Sequence, residues 1–212
     1  GGYGLTAAAT ITLGGLVNGS GAKFIVEGAP KHAATLAFSN GGSGFTSNGG
    51  VFELTYTTPL TLSGSFTNNG TFGLHDNSAV TIGGNFTNNA VLDVDNAYTS
   101  NGFAFNYAEG GSRLAIGGTL FNTGTVQIGD TATFFGMFVL DGLTAAATIA
   151  LGGLQNTGSI SLFGSAPTLM AVIAATGSVT NAGVLNVGTY SALKVTGGNA
   201  FTQTAGTTTV LG

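Results

Sequence analysis

The chain repeats a short pattern of hydrophobic and polar positions along most of its length. An apolar residue is followed by Asn, then by a turn of small residues, then by a segment with alternating apolar positions. The clearest copy runs from Phe66 to Leu74, and another copy begins 20 residues later at Phe86. One such unit cannot bury its own apolar face, so the pattern predicts a fold in which successive units stack on one another.

The Asn position occurs in eight copies of the pattern, and Gln replaces Asn in the last copy. Stacked Asn side chains hydrogen-bond to each other and to nearby backbone, and Asn tolerates the left-handed turn conformation. We therefore predict a structural asparagine ladder with an aromatic stack beside it. The predicted ladder consists of Asn18, Asn48, Asn68, Asn88, Asn122, Asn156 and Asn181. The predicted aromatic positions are Phe45, Phe66, Phe86 and Phe201, with Leu120, Leu154 and Val179 at the other levels.

Each copy of the pattern contains a predicted strand, and most copies contain a second one. The first strand follows the Asn turn, and its alternation places residues such as Phe72 and Leu74 inside. The residues between the apolar positions, which include Glu53 and Asp93, are expected to face solvent. The second strand ends in Gly, as in the segment 80–84. The chain is therefore predicted to be all-β, a single-stranded parallel β-helix (β-solenoid) of about eight coils with no significant helix.

A longer repeat is superimposed on the short one. The segment Leu5–Asn18 recurs as Leu143–Asn156, with 12 of 14 positions identical. We interpret residues 1–212 as one continuous β-solenoid segment and as a window of a longer tandem array, with long repeats at 5–142 and 143–212.

Two stretches between the strands are apolar on both faces, Thr133–Leu140 and Leu169–Ala174. A strand of this kind is buried on both sides or offers a contact surface. We predict that these stretches contribute to association between copies of the chain, either lateral or end to end. The candidate self-association residues are Phe134, Phe135, Phe138, Leu169 and Ile173.

Composition restricts the classes of partner. Four basic residues against eight acidic ones, and a net charge of -4, provide no basic patch for nucleic acid. The absence of Cys excludes disulfides and thiolate metal sites. An uninterrupted run of 18 apolar residues is absent from the sequence, so the chain is not expected to span a membrane.

The polar side chains do not form a recognisable catalytic or metal-binding constellation, and we assign no catalytic, cofactor-binding or metal-binding residues. His75 and Asp95 are predicted to lie at adjacent levels as a solvated surface pair, since a metal site needs three or four ligands. Asp76, Asn96 and Asp130 fall at one turn position, where they are expected to cap turns. The chain is therefore predicted not to be an enzyme.

The segments FTNNGTF, FNTGTVQIG, VTNAGVLNVG and FTQTAGTTTVLG resemble the passenger repeats of bacterial autotransporters. They are also similar to the repeats of filamentous-haemagglutinin-like adhesins of two-partner secretion. The resemblance extends from about Leu5 onward. It implies a right-handed parallel β-helix, export, and an extracellular location at the bacterial cell surface.

These observations favour a non-enzymatic structural stalk or fibre and adhesin segment of an exported surface protein. A host or surface glycan or protein receptor is a candidate partner. The alternative is a carbohydrate-binding or carbohydrate-cleaving parallel β-helix that uses Glu53 and Asp93 with Tyr56 or Tyr98. Ice binding is a third hypothesis, but it requires a regular Thr column, and the Thr positions are irregular.

Overall fold

The structure, a computed structural model, describes residues 7–96, 110–129 and 142–212, and the backbone of residues 134–135 and 138–139. All regular elements in these residues are β-strands, which confirms the prediction of an all-β chain without significant helix. None of the described residues forms a helix of the length and hydropathy that a membrane crossing requires. The strands, in chain order, are β1 (Thr10–Leu13), β2 (Lys23–Glu27), β3 (Thr35–Phe38), β4 (Ser47–Asn48), β5 (Val51–Thr55), β6 (Leu60–Leu62), β7 (Phe66–Asn68), β8 (Thr71–His75), β9 (Ala79–Ile82), β10 (Phe86–Asn88), β11 (Val91–Val94), β12 (Arg113–Asn122), β13 (Thr125–Ile128), β14 (Phe134–Phe135), β15 (Phe138–Val139), β16 (Ala147–Asn156), β17 (Ser159–Leu162), β18 (Ala171–Ala175), β19 (Val179–Asn181), β20 (Val184–Val187), β21 (Ser191–Val195), β22 (Phe201–Gln203) and β23 (Thr207–Val210).

One large sheet is formed by the segments that follow the turns, the first predicted strand of each repeat. Its order is β2-β5-β8-β11-β13-β17-β20-β23, and its neighbouring strands are parallel. Equivalent positions of the repeats lie side by side: Phe72 pairs with Phe52 on one side and with Leu92 on the other. Successive repeats of the sequence are therefore successive layers of the structure. Neighbouring strands of a sheet lie ~4.8 Å apart, which sets the distance between layers.

A second parallel sheet contains the Asn-ending segments and the second predicted strands. Its main path runs β21-β18-β16-β12-β10-β7-β4, with β6, β9, β19 and β22 attached beside it. Two smaller sheets also occur in the described residues: β1 pairs parallel with β3, and β14 pairs antiparallel with β15. Successive repeats are hydrogen-bonded neighbours in both large sheets, an arrangement that is consistent with a β-solenoid.

The hydrophobic core lies between the two large sheets and forms one cluster through the repeats. Rings from the two sheets meet across this core: the ring centroids of Phe66 and Phe72 are 5.4 Å apart, and those of Phe72 and Phe86 are 5.6 Å apart. Each of these three side chains is at most 1% exposed. Edge-to-face aromatic contacts add stabilisation beyond the area that is buried, so the layers are joined through the core as well as through the backbone.

The repeats contain three strands where the sequence predicts two. The segment that ends in Asn is a short strand of its own, as β7 and β10 show. Phe66 and Asn68 are buried on its inner side, and Thr67 between them is half-buried. In β12 and β16 this short strand is continuous with the preceding one, and each spans 10 residues. The prediction was wrong because an inner Asn conceals the two-residue period of a strand.

Phe45 departs from the common register. The pairing of β4 with β7 places Thr46, and not Phe45, level with Phe66. The ring of Phe45 nevertheless enters the core, where it is 1% exposed and its centroid lies 4.9 Å from that of Phe66. The extra residue between Phe45 and Asn48 accounts for the shift.

Candidate functional site

A ladder of asparagine side chains runs through the repeats on the inner side of the short strands. All seven predicted asparagines belong to it, and none of them is more than 4% exposed. At each step the side-chain Nδ2 donates a hydrogen bond to the Oδ1 of the asparagine in the next repeat. From Asn18 to the Oε1 of Gln203, the N–O distances are 2.7, 2.9, 2.8, 2.8, 2.7, 2.7 and 3.1 Å.

The same asparagines fasten the turns that follow them. Asn68 Nδ2 donates to the carbonyl oxygen of Gly70 in its own turn at 2.9 Å and to that of Val91 in the next repeat at 2.7 Å. The Gly70 N–H donates back to Asn68 Oδ1 at 3.3 Å. Since a buried polar group without a partner costs about 1–3 kcal/mol, these positions require a side chain with both a donor and an acceptor.

The aromatic stack lies beside the ladder. The rings of Phe66 and Phe86 are stacked, with centroids 5.7 Å apart and an angle of 14° between their planes. Phe201 occupies the equivalent position of the last repeat and pairs with Val179, but it is 41% exposed. This exposure reflects the single described neighbour of β22, and the register of Phe201 is the predicted one.

The predicted self-association residues fall into three environments. Ile173 is 0% exposed, because β18 lies between β16 and β21 and both neighbours cover it. Its prediction as a contact residue was wrong. Leu169 is half-buried and packs against the core. Phe134, Phe135 and Phe138 contribute backbone to the antiparallel pair β14–β15, and their side chains lie outside the described structure.

The acidic positions that were expected to face solvent are buried. Glu53 is 8% exposed and Asp93 is 1% exposed. Gly73 lies between them in the sheet. Its missing side chain leaves room that its neighbours fill: a Cβ at Gly73 would stand 2.8 Å from Nε2 of His75 and 3.1 Å from Cγ of Glu53. The expectation of solvent exposure was wrong for both residues, and for Glu53 the reason is that this glycine lets the side chains of Glu53 and His75 fold over the sheet.

Asp95 is a buried corner residue and not the exposed member of a surface pair with His75. It is 0% exposed, and its carboxylate accepts hydrogen bonds from the Asp76 N–H at 3.0 Å and from the Ser112 N–H and hydroxyl at 2.7 Å each. Charge-assisted bonds of this length hold a carboxylate in a buried site. The corner therefore connects two repeats across an insert, and the prediction of a solvated pair was wrong.

The predicted turn positions are partly in the left-handed conformation. Asp76 has φ 51° and Asp95 has φ 52°, a backbone region that Asp adopts more readily than most residues. Counting on from the Val94–Leu74 pair, Asn96 is level with Asp76, as predicted, and its N–H donates to Asp93 Oδ1 at 3.0 Å. Asp130 lies outside the described residues.

The role of serine at this corner was not predicted from the sequence. Ser78 and Ser112 are both 0% exposed, and the Ser78 hydroxyl accepts a hydrogen bond from the Thr57 N–H at 3.2 Å. A signal was present, since each serine stands two positions before an apolar residue of the second strand. Among the described residues, no group of three or more His, Asp or Glu side chains is placed to hold a metal ion.

Comparison of the chain with protein-family models, curated proteins and solved structures gives no match. The described site consists of a buried row of side-chain amide hydrogen bonds, which all point toward the following repeat, beside a continuous apolar core.

Replacing Glu53 by Gln is expected to raise the free energy of unfolding by about 1 kcal/mol. The carboxylate is 8% exposed, and no hydrogen-bond donor within the described residues reaches it. A neutral amide removes part of the cost of burying a charge without a partner. Chemical denaturation near neutral pH measures the change, with Glu27→Gln in the exposed part of β2 as the control, for which a change within about 0.5 kcal/mol is expected. A clear loss of stability in Glu53→Gln would show that the carboxylate has a stabilising partner.

Proposed function

We propose that this chain is a structural segment of an exported bacterial surface protein, a stalk or fibre that also carries adhesive surfaces. In this proposal the two parallel sheets wind as a right-handed, single-stranded β-helix of about eight coils. Its role is to hold a stiff, extended shape outside the cell and to present inserts to partners. It performs no chemistry.

The asparagine ladder is the observation that carries the proposal. Its hydrogen bonds run without interruption from Asn18 to Gln203, beside a core that forms one cluster. A stack with these two features gains stability repeat by repeat from its neighbours, as solenoids do, and requires no metal or disulfide. The sequence contains no Cys, which is compatible with folding outside the cell without oxidative help.

The resemblance to autotransporter passengers and filamentous-haemagglutinin-like adhesins supports the assignment to the cell surface. The proposed partners are copies of the same chain and a glycan or protein receptor on a host or neighbouring surface. The carbohydrate-acting alternative is less well supported, because it requires an accessible acidic face, and Glu53 and Asp93 are 8% and 1% exposed.

Surface accessibility in the producing bacterium tests the proposal. Antibodies raised against the 212-residue chain are expected to label intact cells, and added protease is expected to remove the label without lysing them. A cytoplasmic protein of the same cells serves as the control for lysis. Labelling that requires permeabilised cells contradicts the proposed location. Small-angle scattering of the purified chain tests the shape independently, and a compact sphere contradicts the stalk.

A further inference from the structure

Within the described residues, four asparagines are followed directly by glycine, and they occupy different environments. They are Asn18, Asn40, Asn48 and Asn69. In an Asn-Gly pair the backbone nitrogen of the glycine can attack the side-chain amide carbon, because glycine has no side chain to hinder the approach. Asn18 and Asn48 belong to the asparagine ladder, whereas Asn40 and Asn69 are exposed. Reaction in the folded chain therefore depends on how firmly each pair is held.

Asn48 is buried, and both of its reacting groups are occupied. The side chain is 0% exposed, and its Nδ2 donates to Asn68 Oδ1 at 2.9 Å and to the Thr71 carbonyl at 2.7 Å. The N–H of Gly49, the nitrogen that would attack, donates to the Asn18 carbonyl at 2.7 Å. The ladder therefore protects this Asn-Gly pair from the reaction.

Asn40 is exposed, but its side chain is anchored. Its Nδ2 donates to the Gly14 carbonyl at 2.7 Å, and the N–H of Gly41 donates to the Phe38 carbonyl at 3.2 Å. The nitrogen that would leave and the nitrogen that would attack are thus held in two separate hydrogen bonds. Reaction at Asn40 requires both of these bonds to break.

Asn69 is exposed, and its side-chain amide is held at one end. It lies in the turn between β7 and β8, with described layers on both sides, and its Oδ1 accepts a hydrogen bond from Asn89 Nδ2 at 2.8 Å. Within the described residues, no acceptor reaches Asn69 Nδ2. The N–H of Gly70 makes only a long hydrogen bond, of 3.3 Å, to Asn68 Oδ1. The bond from Asn89 draws electron density from the Asn69 amide, which favours attack at its carbon.

We propose that Asn69 is a site of spontaneous deamidation, a modification that the chain undergoes without an enzyme. The deprotonated backbone nitrogen of Gly70 attacks Cγ of Asn69 and closes a cyclic imide. The Cγ–Nδ2 bond breaks, and ammonia leaves with a proton from water. A second water molecule then adds to one of the two imide carbonyl carbons and opens the ring. The products are aspartate and isoaspartate at position 69, and nothing is oxidised or reduced. The modification does not depend on the function proposed above.

The two products have different effects on the layer. Aspartate keeps the main chain unchanged, and its carboxylate can still accept the hydrogen bond from Asn89. Isoaspartate adds a methylene to the main chain directly before Gly70, where a Cβ would already overlap the carbonyl oxygen of Gly50. After chromatographic separation, the isoaspartate form is therefore expected to show faster amide hydrogen exchange at residues 70–72 than the aspartate form.

The next layer provides a matched control. Asn89 is exposed in the equivalent turn, but Ala90 stands level with Gly70. The purified chain is incubated at mildly alkaline pH and digested with pepsin in acid, which stops the reaction. Mass spectrometry of the peptides follows the replacement of NH2 by OH at each asparagine. Asn69 is expected to react at least about tenfold faster than Asn48, which first has to lose its hydrogen bonds. It is also expected to react faster than Asn89, since alanine hinders the attack.

A variant transfers the reactive pair to the next layer. Ala90→Gly gives Asn89 a following glycine, and the rate at Asn89 is expected to rise clearly above its wild-type rate. It should stay below the rate at Asn69, because Asn89 is held at both ends of its amide: Thr123 Oγ1 donates to its Oδ1 at 3.0 Å. Asn69→Gln is expected to remove the modification at position 69. Circular dichroism checks that both variants are folded.

Denaturation separates protection by the fold from the reactivity of the sequence. In concentrated urea Asn48 and Asn69 are expected to react at similar rates, since both precede glycine. Modification of Asn48 in the folded chain as fast as that of Asn69 overturns the proposal. A rate at Asn69 that does not exceed the rate at Asn89 overturns it as well. An unchanged rate at Asn89 in folded Ala90→Gly contradicts the role assigned to the glycine.

Discussion

Replacing Asn88 by Asp is expected to lower the free energy of unfolding by about 3–5 kcal/mol, because it puts an uncompensated charge into the middle of the buried ladder. Asn88 is 0% exposed, and its Nδ2 donates to Asn122 Oδ1 at 2.8 Å and to the Thr125 carbonyl at 3.0 Å. Aspartate has almost the same shape but no donor, so its carboxylate would face two oxygens that have lost their hydrogen bonds. The substitution therefore changes the hydrogen bonding while it leaves the packed volume nearly constant.

The adjacent asparagine provides the control. Asn89 lies in the same turn, is exposed, and donates to Asn69 Oδ1 at 2.8 Å. Asn89→Asp is expected to change the stability by less than about 1 kcal/mol, since exposed polar groups exchange one partner for water. Urea denaturation and amide hydrogen exchange near residue 88 measure both variants. Equal effects at the two positions would show that the inner ladder contributes no more than an exposed surface pair.

Replacing Phe66 by Ala is expected to lower the free energy of unfolding by about 3–5 kcal/mol, because it opens a cavity in the aromatic stack. The ring is 1% exposed and contacts three others, with centroids 4.9 Å from Phe45, 5.4 Å from Phe72 and 5.7 Å from Phe86. Both large sheets border the cavity, so neither can collapse into it without breaking strand pairs. Thermal and urea denaturation measure the loss.

Two further substitutions serve as controls for the loss of stability expected in Phe66→Ala. Phe66→Leu is expected to cost only about 1 kcal/mol, because Leu120 and Leu154 fill the same column in other repeats. Phe121→Ala removes a half-buried ring from the outer side of β12 and should cost much less than Phe66→Ala. A loss in Phe121→Ala that equals the loss in Phe66→Ala would contradict the assignment of an inner and an outer face.

The parts of the fold that follow from a fixed spacing could be predicted from the sequence. The asparagines were identified because the same residue returns at the same phase in seven of the eight copies, and one buried polar column is compatible with stacking only where its members bond to each other. The columns of Phe72 and Leu74 followed from alternation. The all-β class followed from both, since helices have a different period.

The buried polar side chains, the corner at Asp95 and the burial of Ile173 depend on contacts between strands that the spacing of residues in the sequence does not reveal. Burial of Glu53 depends on the space above Gly73, which becomes visible only once the neighbouring strands lie side by side. The corner at Asp95 depends on Ser112, which an insert separates from it in the sequence. Ile173 was assigned to a surface because its segment is apolar on both sides, and only the presence of β21 shows that it is covered.

The fourteen-residue sequence that occurs twice also gives the molecule an internal standard. The chemical exchange rate of a backbone amide in an open chain is set by its own and its neighbouring side chains, and up to Ile11 and Ile149 these are identical in the two copies. Within the described part of the chain, Ile11 has a strand on one side and Ile149 has strands on both. The ratio of their exchange rates therefore reports on the second neighbouring strand, within one molecule and one sample. The ratio measures the free energy that a neighbouring layer adds to the local stability of a strand. This free energy determines how many layers a stack of this kind can hold in an ordered state.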